Sequence, residues 1–139
     1  MELVVDANVI FAALIKNSTT RKLLLLRTPS PFTLYTTPFI LEEVFKYLSY
    51  LAEKTETEES ELLEMLMELF ISADINIIPE NQLRPYMKEA LKVSPDKNDA
   101  QYFAIAMSMN CPIWSNDKRL KGQSRIKVIN TAELLLILG

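Results

Sequence analysis

Histidine is absent from this 139-residue sequence, and cysteine occurs only once, as Cys111. Without histidine no Ser-His-Asp or Cys-His catalytic arrangement can form, and zinc sites built from histidine and several cysteines are excluded. A single cysteine cannot form an internal disulfide, which is typical of proteins in a reducing compartment. If this chain catalyses a reaction, carboxylates must carry the chemistry.

Long apolar segments and glycine are also scarce. The longest uninterrupted apolar runs, such as residues 134–138, are far shorter than the roughly 20 residues that span a bilayer. The first ten residues contain two acids and lack the basic start of a signal peptide. With only two glycines and no low-complexity tract, the chain does not resemble a disordered or fibrous protein. We therefore expect a soluble, cytoplasmic protein with no membrane partner, folded as one domain over residues 1–139.

The formal net charge of −3 conceals an uneven distribution. Residues 53–68 hold seven acids and one base, which leaves 14 bases and 11 acids, a net charge of +3, for the rest of the chain. An acidic solvated helix and a basic loop would account for this pattern. The functional alternative is a basic rim that binds a phosphate backbone. Five bases lie within ten residues: Lys118, Arg119, Lys121, Arg125 and Lys127.

Short β-rich segments alternate with helical segments along the chain, which predicts a single α/β domain with a five-stranded parallel sheet and helices on both faces. Thr57 and Thr131 are predicted helix caps, and Pro85 fits only the first turn of its helix. The predicted strands cover residues 2–6, 32–36, 75–78, 113–115 and 126–129. The predicted helices cover residues 8–16, 20–27, 38–52, 57–72, 83–93, 96–110 and the segment from 131, with a helical turn at 117–121.

Acidic residues occur where a ligand would bind such a sheet, beyond the carboxyl ends of its strands. Asp6 ends the first predicted strand, and Asp117 follows the fourth by two residues. Asp99 falls on the apolar side of its predicted helix, where an acid is costly unless something binds it. Each also has an ordinary explanation: Asp6 and Asp117 could be caps, and Asp99 could form a capping box with Asp96.

A fourth acid comes from the third predicted helix, which contains the neighbours Glu42 and Glu43. On a helical projection Glu43 lies roughly 115° from the centre of the apolar stripe and Glu42 roughly 145°. We prefer Glu43 because it is nearer the core boundary, although either acid could be a surface charge. Acids gathered in one pocket repel each other unless a cation neutralises them. Carboxylate oxygens suit Mg²⁺ or Mn²⁺, and paired ions about 4 Å apart can activate water against a phosphodiester.

Several short motifs together resemble the PIN-domain nucleases along most of the chain. The resemblance implies a flavodoxin-like parallel sheet and a metal-dependent endoribonuclease. It assigns the metal-site acids to Asp6, Glu43, Asp99 and Asp117. The matching pieces are VVDANV (4–9), LEEV (41–44), DKNDA (96–100) with Ala104 and Ala106, IWSND (113–117) and VINTAEL (128–134).

The resemblance also implies supporting residues and partners. Asn8, Asp96 and Ser115 match positions that support or orient the family's acids. Many stand-alone PIN domains of this size are toxins of toxin–antitoxin pairs, so an antitoxin protein is an implied partner. Two alternatives remain open: an inactive PIN-like binding or assembly module, and an aspartyl-phosphate phosphatase or receiver. The phosphatase pattern has a second acid where Asn8 stands here.

Two further interactions are expected from the sequence. Lys118, Arg119 and Lys121 directly follow Asp117 and are expected to contact the phosphates of single-stranded RNA. Residues 62–71 are interrupted only by two glutamates, so this helix is apolar nearly all round, which favours a homodimer. Burial of that helix in the chain's own core is the competing explanation. Trp114, Phe39 and Tyr102 are candidates for base stacking, but they are better explained as core residues.

Overall fold

The computed structural model describes residues 1–15, 18–25 and 31–138. Its strands are β1 (Glu2–Val5), β2 (Thr33–Thr36), β3 (Asn76–Ile77), β4 (Ile113–Trp114) and β5 (Val128–Ile129). Its helices are α1 (Ala7–Leu14), α2 (Thr19–Leu24), α3 (Phe39–Lys54), α4 (Glu59–Ser72), α5 (Glu80–Val93), α6 (Ala100–Met109) and α7 (Thr131–Leu138). Two short 3₁₀ turns cover Lys97–Asp99 and Lys118–Gly122.

The five strands form one sheet in the order β3-β2-β1-β4-β5, and every pairing is parallel. This confirms the predicted α/β class and the five-stranded parallel sheet. The order differs from the 2-1-3-4-5 order of flavodoxin itself, because here β1 is the central strand. The winding direction reverses between β1 and β4, and ligands of open α/β sheets bind at such a switch.

Helices cover both faces of the sheet, as predicted. Leu3 and Val5 of β1 pack into one core with residues of α1, α3 and α4. Val4, which points the other way, packs into a second core with residues of α5 and α6. Burial on both faces explains why β1, β4 and β5 are nearly continuous apolar runs. None of the described helices is both long and apolar enough to cross a membrane.

The predicted caps of α4 and α7 are wrong. The side chain of Asn130, not Thr131, accepts the hydrogen bond from the backbone N–H of Glu133, at 2.8 Å. The Glu133 carboxylate in turn accepts from the backbone N–H of Asn130 at 3.1 Å, so the two residues form a capping box. The Thr131 hydroxyl instead accepts from the buried indole N–H of Trp114 at 3.1 Å. Thr57 lies before α4, where its hydroxyl donates to a backbone carbonyl.

Other element boundaries also differ from the prediction. Helix α5 begins at Glu80, so Pro85 lies in its second turn rather than its first. The sequence did not indicate this start because residues 80–82 are polar and precede the apolar pattern. The helix expected from Asp96 begins with the turn Lys97–Asp99, and α6 follows it. The predicted helix ends at Lys16 and Arg27 lie outside the described residues.

Candidate active site

The ends of β1 and β4 are joined by a buried hydrogen bond between Ser115 and Asp6. The Ser115 hydroxyl donates to Asp6 Oδ2 at 2.6 Å. Ser115 Oγ also accepts from the backbone N–H of Asp117 at 3.0 Å. Asp6 and Ser115 are 5% and 1% exposed, so both side chains are fixed by the surrounding core. The structure thus brings Asp6 and Asp117 to the same edge of the sheet, through one hydroxyl.

Asn8 supports the segment after β4 rather than touching a carboxylate. Its Oδ1 accepts from the backbone N–H of Asn116 at 3.1 Å and lies 3.5 Å from the Ser115 hydroxyl. The Asn116 side chain then accepts from the backbone N–H of Thr131 at 2.9 Å. These bonds fix the segment that carries Asp117 between α1 and α7. The contact through Asn116 was not predicted from the sequence.

Glu43 contacts a buried tyrosine of α6. Its Oε1 accepts from the Tyr102 hydroxyl at 3.1 Å, and the Tyr102 side chain is fully buried. Glu43 itself is half-buried, whereas Glu42 is exposed. Tyr102 is a core residue, as expected, but the role of its hydroxyl was missed. The available signal was the position of Tyr102 three residues after Asp99, since residues i and i+3 lie on the same face of a helix.

A second contact holds α3 against α6 close to Glu43. Thr37, which is fully buried, donates through its hydroxyl to the side-chain oxygen of Gln101. The same hydroxyl accepts from the backbone N–H of Phe39 at 3.1 Å, at the start of α3. The first turn of α3, which leads to Glu43, is therefore tied to the helix that carries Tyr102.

Asp96 and Asp99 have separate roles at the turn before α6. Asp96 Oδ1 accepts from the backbone N–H of Asn98 at 3.0 Å and so caps the turn Lys97–Asp99. Asp99 is half-buried and makes no capping hydrogen bond, which rules out the capping-box alternative. Its carboxylate accepts no hydrogen bond from any residue that the structure describes.

Burial raises the pKa of three of these acids. The pKa of Glu43 rises to about 7 and that of Asp99 to about 6, in each case mainly because the carboxyl is desolvated. The charge of Asp6 raises both of these pKa values further, and the pKa of Asp6 is itself raised by burial. These three acids therefore lie within electrostatic reach of each other. With Asp117 we call them the acidic edge.

Asp117 differs because an arginine neutralises it. The Arg119 guanidinium donates to Asp117 Oδ2 at 2.8 Å through Nη2 and to both carboxylate oxygens at 3.2 Å through Nε. These bonds lower the pKa of Asp117. Arg119 Nη1 also lies 3.9 Å from Asp96 Oδ2. Arg119 is therefore paired with these acids although its side chain remains 69% exposed.

Of the other two predicted RNA-binding residues, one is paired with an acid and one is not. Lys121 forms an ion pair with Glu133 of α7. Lys118 is exposed and makes no ion pair with any described residue. Because exposed ion pairs contribute only about 0–1 kcal/mol, Arg119 and Lys121 could exchange their carboxylates for phosphates at little cost.

The donor chemistry of the acidic edge fits a hard divalent cation. Carboxylates from four separate segments supply the oxygen ligands that Mg²⁺ and Mn²⁺ prefer. Lys46 lowers the pKa of Glu43 and Arg119 lowers that of Asp99, but in both cases burial raises the pKa by more. Within residues 1–15, 18–25 and 31–138, however, no three acids or thiols form a ready-made ligand set. Side-chain rotation, including release of Asp117 by Arg119, would have to complete such a set.

A cleft of about 250 Å³ adjoins Glu43, and we call it the Glu43 cleft. Phe39 borders this cleft and is half-buried, whereas Trp114 and Tyr102 are fully buried in the core. Of the three stacking candidates named from the sequence, Phe39 alone faces this space. The cleft is lined by Phe39, Glu42, Glu43, Lys46, Tyr47 and Asn98.

Comparison with known proteins identifies both a family and a fold. The family model for the PIN domain matches residues 4–136. The fold is similar to the crystal structure of VapBC2 from Rickettsia felis bound to a DNA fragment from their promoter, with a TM-score of 0.67 and 17% identity over 94% of this chain and 98% of that one. It is also similar to PAE2754 from Pyrobaculum aerophilum, with a TM-score of 0.69 and 17% identity over 99% of this chain and 89% of that one. A search of curated proteins found no match.

The raised pKa values predict a specific dependence of stability on pH in the presence of a chelator. Because the folded state binds protons on Glu43 and Asp99 more tightly than the unfolded state, the free energy of unfolding should fall as the pH rises from about 4.5 to about 7. Glu43→Gln keeps an oxygen acceptor for Tyr102 and removes the charge. It should raise the free energy of unfolding above pH 7 by about 1 kcal/mol and flatten the pH profile.

Urea denaturation at a series of pH values measures this effect. Glu42→Gln, at the exposed neighbouring position, is the control and should follow the wild-type profile. If Glu43→Gln and the wild type had the same profile, the burial of the Glu43 carboxyl would not affect stability.

Proposed function

The chain belongs to the PIN domain family, and from this premise we propose that it is a divalent-metal-dependent endoribonuclease that cleaves single-stranded RNA. PIN domains are generally nucleases that depend on divalent metal ions. One observation supports the proposal for this chain: four acids lie within electrostatic reach of one another near the switch between β1 and β4, and three of them have raised pKa values.

Each residue at the acidic edge has a role in this proposal. Asp6, Glu43, Asp99 and Asp117 would hold Mg²⁺ or Mn²⁺. The chemistry that a bound ion would supply is activation of a water molecule and stabilisation of the leaving oxygen of the phosphodiester.

The residues around the acids fix their orientation. The Ser115 hydroxyl orients the Asp6 carboxylate, and the Tyr102 hydroxyl holds that of Glu43. Asp96 stabilises the turn that carries Asp99, and Asn8 fixes the segment before Asp117. These four supporting residues are hydrogen-bonded in the structure, so Asp6 and Glu43 are oriented by contacts that the metal does not need to create.

Single-stranded RNA is the favoured substrate because the acids lie at the rim of a sheet. A flexible strand can bend to bring its scissile phosphate to such a rim, which a stiff duplex cannot do. Lys118 is the base best placed to meet a phosphate, since it is exposed and follows Asp117 directly. Arg119 and Lys121 would join it after leaving their carboxylate partners.

An inactive PIN-like binding module is the second candidate, and one observation favours it. Arg119 occupies both oxygens of Asp117, and the described residues offer no ready-made set of three metal ligands. Titration calorimetry with Mn²⁺, together with cleavage of a mixed RNA pool, separates the two candidates. The nuclease binds Mn²⁺ and cleaves RNA only when the metal is present, whereas the inactive module does neither.

Two protein partners are proposed. The likeness to VapBC2, added to the family membership, supports a toxin whose partner is an antitoxin protein.

A second copy of the chain is supported as a partner by α4, which has two apolar faces. Leu62, Leu66 and Leu69 are buried in the core. An opposite row, Leu63, Met67 and Ile71, is 37%, 59% and 77% exposed.

Asp6→Asn is expected to lower the rate of Mn²⁺-dependent RNA cleavage by about 100-fold or more, because it removes a proposed metal ligand. The asparagine oxygen can still accept from Ser115, so the fold should persist. Without metal, the free energy of unfolding should not decrease, since one of the repelling charges is gone. Asp74→Asn, an exposed position after α4, is the matched control and should cleave at the wild-type rate. Full activity of Asp6→Asn would contradict the assignment.

Replacing Lys118, Arg119 and Lys121 together with alanine is expected to weaken RNA binding. The slope of log affinity against log salt should fall by about one to three units, one for each phosphate that the variant no longer neutralises. The control replaces Arg125 and Lys127, which precede β5 and so lie at the opposite edge of the sheet. Fluorescence anisotropy in a chelator measures both variants. An unchanged slope in the triple variant would place the RNA-binding face elsewhere.

Light scattering is expected to show a homodimer at micromolar concentration, with twice the chain mass of 15.9 kDa. Ile71→Lys should convert it to a monomer, because a charge would have to be buried in the interface. Leu136→Lys, at an 81% exposed position of α7, is the control and should remain dimeric. A monomeric wild-type protein, or a dimer that only Leu136→Lys disrupts, would rule out an interface through α4.

A further inference from the structure

We infer that the Glu43 cleft binds one unpaired nucleobase of the RNA, and that it favours a base with an exocyclic amino group. The inference rests on the proposed RNA substrate and assigns a subsite next to the acidic edge. The cleft and the edge share Glu43, so a base in the cleft belongs to a strand that passes the acids.

The aromatic side chains of the cleft can stack on a base. The Tyr47 side chain is 46% exposed, yet its ring is held edge-on against Phe11, with the centroids 5.6 Å apart and the planes at 81°. Phe39 lines the same space and is half-buried at the start of α3. Because these rings are already positioned, a base can stack at a small cost in conformational entropy.

The polar groups of the cleft complement the rest of a nucleotide. Lys46 is exposed, makes no ion pair with a described residue, and can meet a phosphate of the strand. The Asn98 side chain makes no hydrogen bond among the described residues, so its carboxamide is available to a base edge. A ring-sized space, a cation and an amide together match one nucleotide of a single strand.

The two carboxylates of the cleft select among possible occupants. Glu42 is exposed and Glu43 half-buried on the same wall. They repel a free anion such as inorganic phosphate, which excludes a simple anion site. A carboxylate accepts hydrogen bonds from the amino group of cytosine, adenine or guanine, whereas uracil has no amino group to offer. Glu42 is therefore the proposed specificity-determining residue.

Fluorescence anisotropy with short labelled oligo(C) and oligo(U), in a chelator, tests the inference without requiring cleavage. The wild type should bind oligo(C) more tightly than oligo(U) by about fivefold, and Glu42→Ala, which removes the acceptor oxygens, should reduce this preference. Tyr47→Ala should weaken oligo(C) binding by about tenfold, while Tyr47→Phe should retain it because the ring remains. Tyr50→Ala is the matched control, since Tyr50 is 57% exposed on the same helix outside the cleft.

The outcomes separate this inference from the proposed function. The subsite would be overturned if Tyr47→Ala and Tyr50→Ala bound oligo(C) equally well, or if Tyr47→Phe failed to bind it. It would also be overturned if the wild type bound neither oligonucleotide. The assigned base would be overturned if the wild type preferred oligo(U), or if the preference for oligo(C) survived in Glu42→Ala. If the subsite behaves as expected but Mn²⁺ produces no cleavage, the nuclease function fails and the subsite remains.

Discussion

Repulsion among buried carboxylates is the constraint on which this site depends. Asp6, Glu43 and Asp99 come from three different segments of the chain. The charge of Asp6 nevertheless raises the pKa of both Glu43 and Asp99. Neutral hydroxyl groups hold two of them: Ser115 donates to Asp6 and Tyr102 donates to Glu43. A hydroxyl fixes a carboxylate without cancelling its charge, so the site keeps its attraction for a cation.

The topology of the sheet allows these acids to meet. Asp6 leaves the central strand β1 at the switch with β4, so helices on the two faces both border its side chain. Glu43 belongs to α3, whose core residues pack on one face, and Tyr102 belongs to α6, which packs on the other. Their hydrogen bond therefore joins the two layers beyond the strand ends.

Local patterns could predict the strand ends and the direction of single side chains. Asp6 and Asp117 were expected at one edge from strand order alone, and Asp99 was placed by helical period. The bond between Glu43 and Tyr102 could not be predicted in this way, because it joins residues 59 apart in the sequence. The cap at Asn130 was missed for another reason: Thr131 is also a favoured cap residue, but its hydroxyl accepts from the indole of Trp114.

The negative charge of the acidic edge is reduced in two ways, and the pairing of Arg119 with Asp117 is one of them. The buried acids, Glu43 and Asp99, have pKa values raised to about 7 and about 6, so near neutral pH they can reduce repulsion by holding protons. Asp117 is more exposed, keeps its charge and is neutralised by a guanidinium instead. A divalent ion entering this edge must displace both kinds of neutralising charge, since metal ligation requires deprotonated carboxylates. In the nuclease that we propose, Arg119 would then be released from Asp117 and could contact a phosphate of the RNA.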